Sequence, residues 1–132
     1  MKFKIILIIF LKIISFKILI KFFLPKNIKV ILFDNLSLKQ VQNVLGNYKY
    51  FLLPGRLVNC HEIYINPEII IRILKHLNKG LSLAYNLAII EIINPRIVIT
   101  TIDNSILFHK ISKIIHKYIP TLGVQLSNRP DI

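Results

Sequence analysis

The apolar positions of the chain form two different patterns, which meet near residue 25. Residues 1–24 are apolar almost throughout, interrupted by five lysines, and Pro25 closes the segment. From residue 28, short apolar runs alternate with segments whose apolar positions recur at the helical period of about 3.6 residues. We therefore expect a helix over residues 1–24, followed by an α/β domain over residues 25–132.

Short apolar runs in the second segment predict strands, at residues 28–33, 48–53, 96–102 and 121–126. Periodic segments predict helices at residues 38–45, 66–77, 81–93 and 106–118, the third of which is apolar nearly all round and therefore buried on more than one side. This order of elements predicts a Rossmann-like parallel sheet of about four strands with flanking helices. Residues 56–62 are predicted to form a loop, and Tyr118 to lie on the apolar face of its helix.

Clusters of polar residues follow the four predicted strands, at Asp34-Asn35, Gly55-Arg56, Asp103-Asn104-Ser105 and residues 125–129. Ligands of parallel sheets bind beyond the carboxyl ends of the strands, so these clusters are the candidate site. Asp103 could accept a proton from a substrate hydroxyl, hydrogen-bond a sugar, or cap the next helix. Asn128 and Arg129 could bind an anionic group or form a solvated turn. Arg56 could line the same edge of the sheet or lie on the open surface.

The N-terminal segment fits several membrane roles poorly. Two lysines near the centre of a spanning helix would cost about 2.5–3.5 kcal/mol each, and no small-residue cleavage site of a signal peptide follows. The five lysines scatter around the helix instead of sharing one face. Two alternatives stay open: a helix on an anionic membrane surface, with its lysines reaching the lipid head groups, or a helix packed on another part of the protein.

Composition narrows the remaining function classes. The net charge is +12, but 29 isoleucines and 14 lysines indicate an AT-rich coding sequence, and the lysines are spread along the chain. We therefore expect no nucleic-acid partner.

The single cysteine, Cys60, excludes an internal disulfide and a cysteine-based zinc site. The four histidines lack the spacing of a metal site and are expected to be solvated, and no nucleotide-binding motif is present, so no metal and no cofactor are expected.

Residues 94–109, reading NPRIVITTIDNSILFH, resemble the block NPKVVITFIDNS..F of bacterial surface carbohydrate biosynthesis proteins, which are glycosyltransferase-like proteins of capsule and lipopolysaccharide pathways. Residues 123–129, GVQLSNR, are similar to the family's next strand and turn, IQNGNR or VQQSNR, with Leu126 replacing a polar residue. Arg56, Glu62 and Tyr64 are similar to an RGE..Y element, although here the five residues 57–61 separate the arginine from the glutamate. The resemblance covers residues 28–132.

The resemblance implies the N-terminal half of a GT-B fold, which faces the acceptor, while a C-terminal half holds the nucleotide-sugar donor. The chain would then be the acceptor-side domain, as a fragment, of a surface-polysaccharide biosynthesis protein. Asp103 is the candidate catalytic base, and the candidate substrate-binding residues are Arg56, Asn104, Ser105, Gln125, Asn128 and Arg129.

The expected partners are a glycan or lipid-linked acceptor, an anionic membrane surface and, only where the missing half is supplied, a nucleotide-sugar donor. The expected location is the cytoplasm, peripheral at the inner face of the cell membrane. The alternative is a non-catalytic, membrane-associated remnant or scaffold with the same fold.

Overall fold

The chain forms two compact units in a computed structural model whose described residues are 2–15, 18–33, 38–53, 62–100 and 105–123. The first unit contains the described residues of 1–27 and 54–94, and the second contains those of 28–53 and 95–132. In chain order the elements are α1 (Lys2–Ile14), β1 (Leu19–Lys21), β2 (Val30–Phe33), α2 (Leu38–Leu45), β3 (Tyr50–Leu53), β4 (Glu62–Tyr64), α3 (Pro67–His76), α4 (Leu81–Ile93), β5 (Ile97–Thr100), α5 (Ile106–Ile115) and β6 (Thr121–Gly123).

The second unit is built on a parallel sheet of four strands in the order β3-β2-β5-β6. In the central pair, Val30 is opposite Ile97 and Phe33 is opposite Thr100. All four residues of β2 are buried, as are the last three of β5. Strands buried on both faces are typical of parallel sheets that helices cover on either side.

Helices cover both faces of this sheet. One face carries a buried cluster shared by β2, β5 and α2, which consists of Val30, Leu32, Val41, Leu45 and Ile99. Side chains alternate along a strand, so Phe33 points to the opposite face. There its ring centroid lies 5.5 Å from that of Phe108 in α5. The predicted α/β fold, a parallel sheet with flanking helices, is confirmed.

In the first unit, α3 and α4 form a packed pair of helices, joined by a 3-10 turn over Leu77–Lys79. Asn66 caps α3, since its side-chain oxygen accepts a hydrogen bond from Ile69 N, and Pro67 occupies the first turn. Gly80 has a φ of 106°, which favours glycine, and it separates the 3-10 turn from α4. The predicted bounds of α4 are confirmed, and its residues 83–90 are all buried.

A short parallel pair, β1 with β4, completes the strands of the first unit. Leu19 is opposite Glu62, and the Lys21 ammonium lies 3.1 Å from the Glu62 carboxylate. The side chain of Asn66 donates a hydrogen bond to Phe22 O at 2.9 Å. The segment after β1 is therefore tied to the start of α3.

Three sequence predictions are wrong. The helix predicted over 1–24 ends at Ile14, because the Ser15 hydroxyl donates to Leu11 O at 3.0 Å and residues 19–21 pair with β4. The loop predicted over 56–62 is wrong at Glu62, which begins β4. Tyr118 is 62% exposed, because α5 ends at Ile115 and the turn that follows buries Ile119 instead.

The Asn66 side chain gives a direct test of how the first unit is held together. We expect Asn66→Ala to lower the free energy of unfolding by about 1–2 kcal/mol, because it removes both the cap of α3 and the bond to Phe22 O. Asn66→Asp keeps the capping oxygen but not the donor, so its loss should be smaller. Urea denaturation followed by circular dichroism measures both. Equal losses in the two variants would contradict the capping role.

Candidate functional site

The carboxyl ends of β2, β3, β5 and β6 share one edge of the parallel sheet. Along the chain, these strands follow one another as β2, β3, β5 and β6. In the sheet, β3 and β5 lie on opposite sides of β2, and β6 lies beyond β5. The chain therefore adds a strand on one side of β2 and then continues on the other side, so that the strand order reverses between β2 and β5. Open α/β sheets bind ligands at such a reversal, in the crevice beyond the carboxyl ends of the two diverging strands. The candidate site therefore lies at the edge of the sheet where β2 ends at Phe33 and β5 ends at Thr100.

The last residues of β2 and β5 are held together at this edge. Thr100 is fully buried, and its hydroxyl donates a hydrogen bond to Phe33 O at 3.3 Å. The Phe33 ring packs against Phe108 in the first turn of α5. A buried hydroxyl and a ring contact thus fix the strand ends and the beginning of α5 relative to one another.

Ser105 is the one predicted site residue that falls within the described residues. Its hydroxyl accepts a hydrogen bond from Phe108 N at 3.2 Å, and its carbonyl accepts one from His109 N at 3.1 Å. Ser105 is therefore the N-cap of α5, which is one of the roles expected for the Asp103-Asn104-Ser105 cluster. A contact between Ser105 and a substrate stays a prediction.

The other predicted site residues lie outside the described residues: Arg56, Asp103, Asn104, Gln125, Asn128 and Arg129. Their positions in the chain still relate them to the sheet. Arg56 comes three residues after the end of β3, Asp103 three after the end of β5, and Gln125 two after the end of β6. Each thus follows a strand whose carboxyl end lies at the candidate edge.

A second polar cluster, in the first unit, was not predicted from the sequence. Glu91 on α4 receives two hydrogen bonds from α3: His76 Nε2 lies 2.6 Å from Oε1, and Arg72 Nη1 lies 3.0 Å from Oε2. Arg72 also reaches Glu68 Oε1 at 3.4 Å. His76 is buried, so the expectation that all four histidines are solvated is wrong for this one. Its burial is accommodated because the imidazole has a carboxylate partner.

The electrostatics of the cluster favour a charged Glu91. Partial burial acts to raise the pKa of this carboxyl, but the hydrogen bonds from His76 and Arg72 outweigh it, with a smaller contribution from the Lys75 charge. The pKa therefore lies below its ordinary value of 4.5. An acid with a lowered pKa and both oxygens engaged is a poor proton donor or acceptor near neutral pH. We interpret the cluster as a clamp between α3 and α4.

A signal for this clamp is present in the sequence. Glu68, Arg72 and His76 are spaced four residues apart and so share one face of α3. Glu91 is the only charged residue of a helix that is mostly apolar. A lone acid on a buried helix requires a partner, and the polar stripe of α3 is the nearest one along the chain.

The described parts of the chain contain no group of three or more histidine, cysteine, aspartate or glutamate side chains that could hold a metal ion. Comparisons with known proteins find no matching protein-family model, curated protein or solved structure. Two observations therefore bear on function: the sequence block at residues 94–109 and the reversal of strand order between β2 and β5.

Glu91→Gln tests the clamp. Because the folded-state pKa of Glu91 is lowered, its stabilising contribution is complete above its unfolded pKa and is lost as the pH falls through the folded value. We expect the variant to lose about 2 kcal/mol of unfolding free energy at neutral pH, and the difference from the parent protein to shrink below about pH 4.

Glu68→Gln is the matched control, since its carboxylate contacts the same Arg72 but is 59% exposed against 15% for Glu91. An exposed ion pair contributes about 0–1 kcal/mol, so this variant should change stability little. Urea titrations between about pH 3 and pH 7 measure both variants. Equal losses, or a Glu91→Gln loss that does not depend on pH, would contradict the assignment.

Proposed function

We propose that this chain is the acceptor-side domain of a surface-polysaccharide biosynthesis protein of glycosyltransferase type, and that its sheet corresponds to the N-terminal half of a GT-B fold. The observation that carries the proposal is the block at residues 94–109. Its strand is β5, one of the two strands at which the sheet order reverses, and its serine caps α5. In the chain, the residues of the block between this strand and this helix follow a strand end of the kind at which parallel sheets bind ligands.

Asp103 is the base in the proposed reaction. Its carboxylate accepts the proton of the acceptor hydroxyl as that oxygen attacks the anomeric carbon of the donor sugar. A new carbon–oxygen bond to the acceptor forms, and the bond from the sugar to the nucleotide diphosphate breaks, so that the diphosphate leaves with the electron pair. The donor is held by a second domain, supplied in the same or another chain, as in the family that the block resembles.

The remaining proposed site residues orient the two substrates. Asn104, Ser105 and Gln125 provide donors and acceptors suited to sugar hydroxyls. Arg56 and Arg129 suit anionic groups, because a guanidinium contacts a phosphate or carboxylate through two parallel hydrogen bonds. Asn128 is the remaining partner proposed for such a group.

Replacement of the chromosomal gene by an Asp103→Asn copy tests the enzyme proposal in cells. Loss of a general base lowers the rate of transfer by about 10²–10⁴ fold. We therefore expect the variant to lose surface polysaccharide as fully as a gene deletion does, with the protein itself present at its normal level. Gel analysis of extracted polysaccharide and an immunoblot measure the two quantities.

Asp131→Asn is the matched control, since Asp131 is a third aspartate of the same unit, eight residues beyond the end of β6. It should leave the polysaccharide unchanged. A deletion phenotype that Asp103→Asn does not reproduce would contradict catalysis and favour the scaffold alternative. A deletion without any effect on the polysaccharide would contradict the enzyme proposal and favour the remnant.

A further inference from the structure

Helix α1 carries an apolar stripe that faces away from the protein. The stripe consists of Phe3, Ile6, Leu7, Phe10, Leu11 and Ile14, whose exposed fractions range from 45% to 76%. The residue numbers of successive members differ alternately by three and by one. This spacing places all six on one side of the helix. Large apolar side chains in a continuous exposed patch typically mark a surface that contacts something else.

The other side of α1 is partly covered. Ile5, Ile8, Ile9 and Ile13 are all half-buried. At the N-terminal end, the Lys2 ammonium donates a hydrogen bond to Leu77 O at 3.3 Å, which ties α1 to the turn after α3. The helix thus has a half-buried inner side, and the stripe lies on the exposed side.

Lysines border the stripe on both sides. Lys2 and Lys4 are the chain neighbours of Phe3, so they lie about 100° to either side of it around the helix axis. Both are exposed, whereas Lys12 lies on the inner side and is half-buried. Over residues 1–33 the chain contains seven lysines and no acidic residue. An apolar face between lysines is typical of helices that lie in the plane of an anionic membrane.

We infer that α1 lies flat at the interface of an anionic bilayer, with the stripe of Phe3, Ile6, Leu7, Phe10, Leu11 and Ile14 among the acyl chains and Lys4 at the head groups. The described helices include none that is long and apolar enough to cross a membrane. The 13 residues of α1 rise about 20 Å, short of the roughly 30 Å hydrocarbon core.

The charge of the segment favours lipid over a second copy of the chain. Two copies joined along the stripe would bring together two segments that contain lysines and no acid, and their repulsion would oppose the contact. A paired helix of 13 residues also offers fewer than two full heptads of apolar contact. Anionic head groups instead attract each lysine near the surface. This inference does not depend on the transferase proposal, and its failure would leave that proposal standing.

Co-sedimentation of the full chain with lipid vesicles tests the inference. The probes are vesicles of phosphatidylcholine containing about one third phosphatidylserine, and vesicles of phosphatidylcholine alone. We expect strong binding to the first, weaker binding to the second, and weakening of the first by salt. Leu7→Ser with Phe10→Ser should lower binding to the anionic vesicles roughly tenfold or more, because two apolar side chains no longer enter the bilayer.

Two matched controls accompany this variant. Ile71→Ser with Leu74→Ser removes two apolar side chains that are 67% and 63% exposed on α3, and it should bind like the parent protein. Lys4→Gln should weaken binding about fivefold, whereas the equally exposed Lys110→Gln on α5 should change it less. Thermal unfolding verifies that each variant keeps the parent's stability.

Three results would overturn the inference. The first is a parent protein that does not sediment with anionic vesicles. The second is an equal loss of binding in the α1 and α3 double variants. The third is a parent protein that is dimeric by analytical ultracentrifugation and becomes monomeric on Leu7→Ser with Phe10→Ser, while vesicle binding is unchanged; the occupant of the stripe would then be a second copy of the chain.

Discussion

The parallel pairing of β2 with β5 is the constraint on which the sheet unit depends. The two strands are separated by more than sixty residues in the chain, yet every residue of one is opposite a residue of the other. Such a long closure costs conformational entropy, which only extensive burial offsets. Seven of the eight side chains in these strands are buried. A cluster with α2 covers one face, and the contact between Phe33 and Phe108 brings α5 to the other.

The acidic residues of the chain fall into two groups. All three glutamates form ion pairs within the first unit: Glu62 with Lys21, Glu68 with Arg72, and Glu91 with Arg72 and His76. All three aspartates instead come after a strand of the second unit. Asp34 directly follows β2 and Asp103 comes three residues after β5, so these two follow the strands at which the order reverses.

Features set by neighbouring residues could be predicted from the sequence, and features set by distant ones could not. The start of α3 was predicted because Asn66-Pro67-Glu68 contains its own capping signal, and the bounds of α4 because its apolar run ends at Pro95. Strands β1 and β4 were missed because each is only three residues long and exists through pairing with the other. Burial of His76 was missed for the same reason, since its partner Glu91 is on another helix.

The same distinction applies to the candidate site. The polar clusters after the strands could be found from sequence, because a strand end is a local signal. Which two strands lie at the reversal could not be predicted, because strand order is a property of the whole unit. The exposed stripe of α1 could not be predicted either. When residues 1–24 are drawn as one helix, their five lysines are scattered around it. Because α1 ends at Ile14, Lys17 and Lys21 do not belong to this helix, and the stripe is free of lysines.

Contacts between backbone protons of neighbouring strands, measured by nuclear magnetic resonance on isotopically labelled protein, test the strand order most directly. The account predicts contacts of Ile31–Phe33 with Val98–Thr100 on one side and with Phe51–Leu53 on the other, in parallel register. Contacts of Val98–Thr100 directly with Phe51–Leu53 would contradict it, because the reversal between β2 and β5, and with it the candidate site, would not exist.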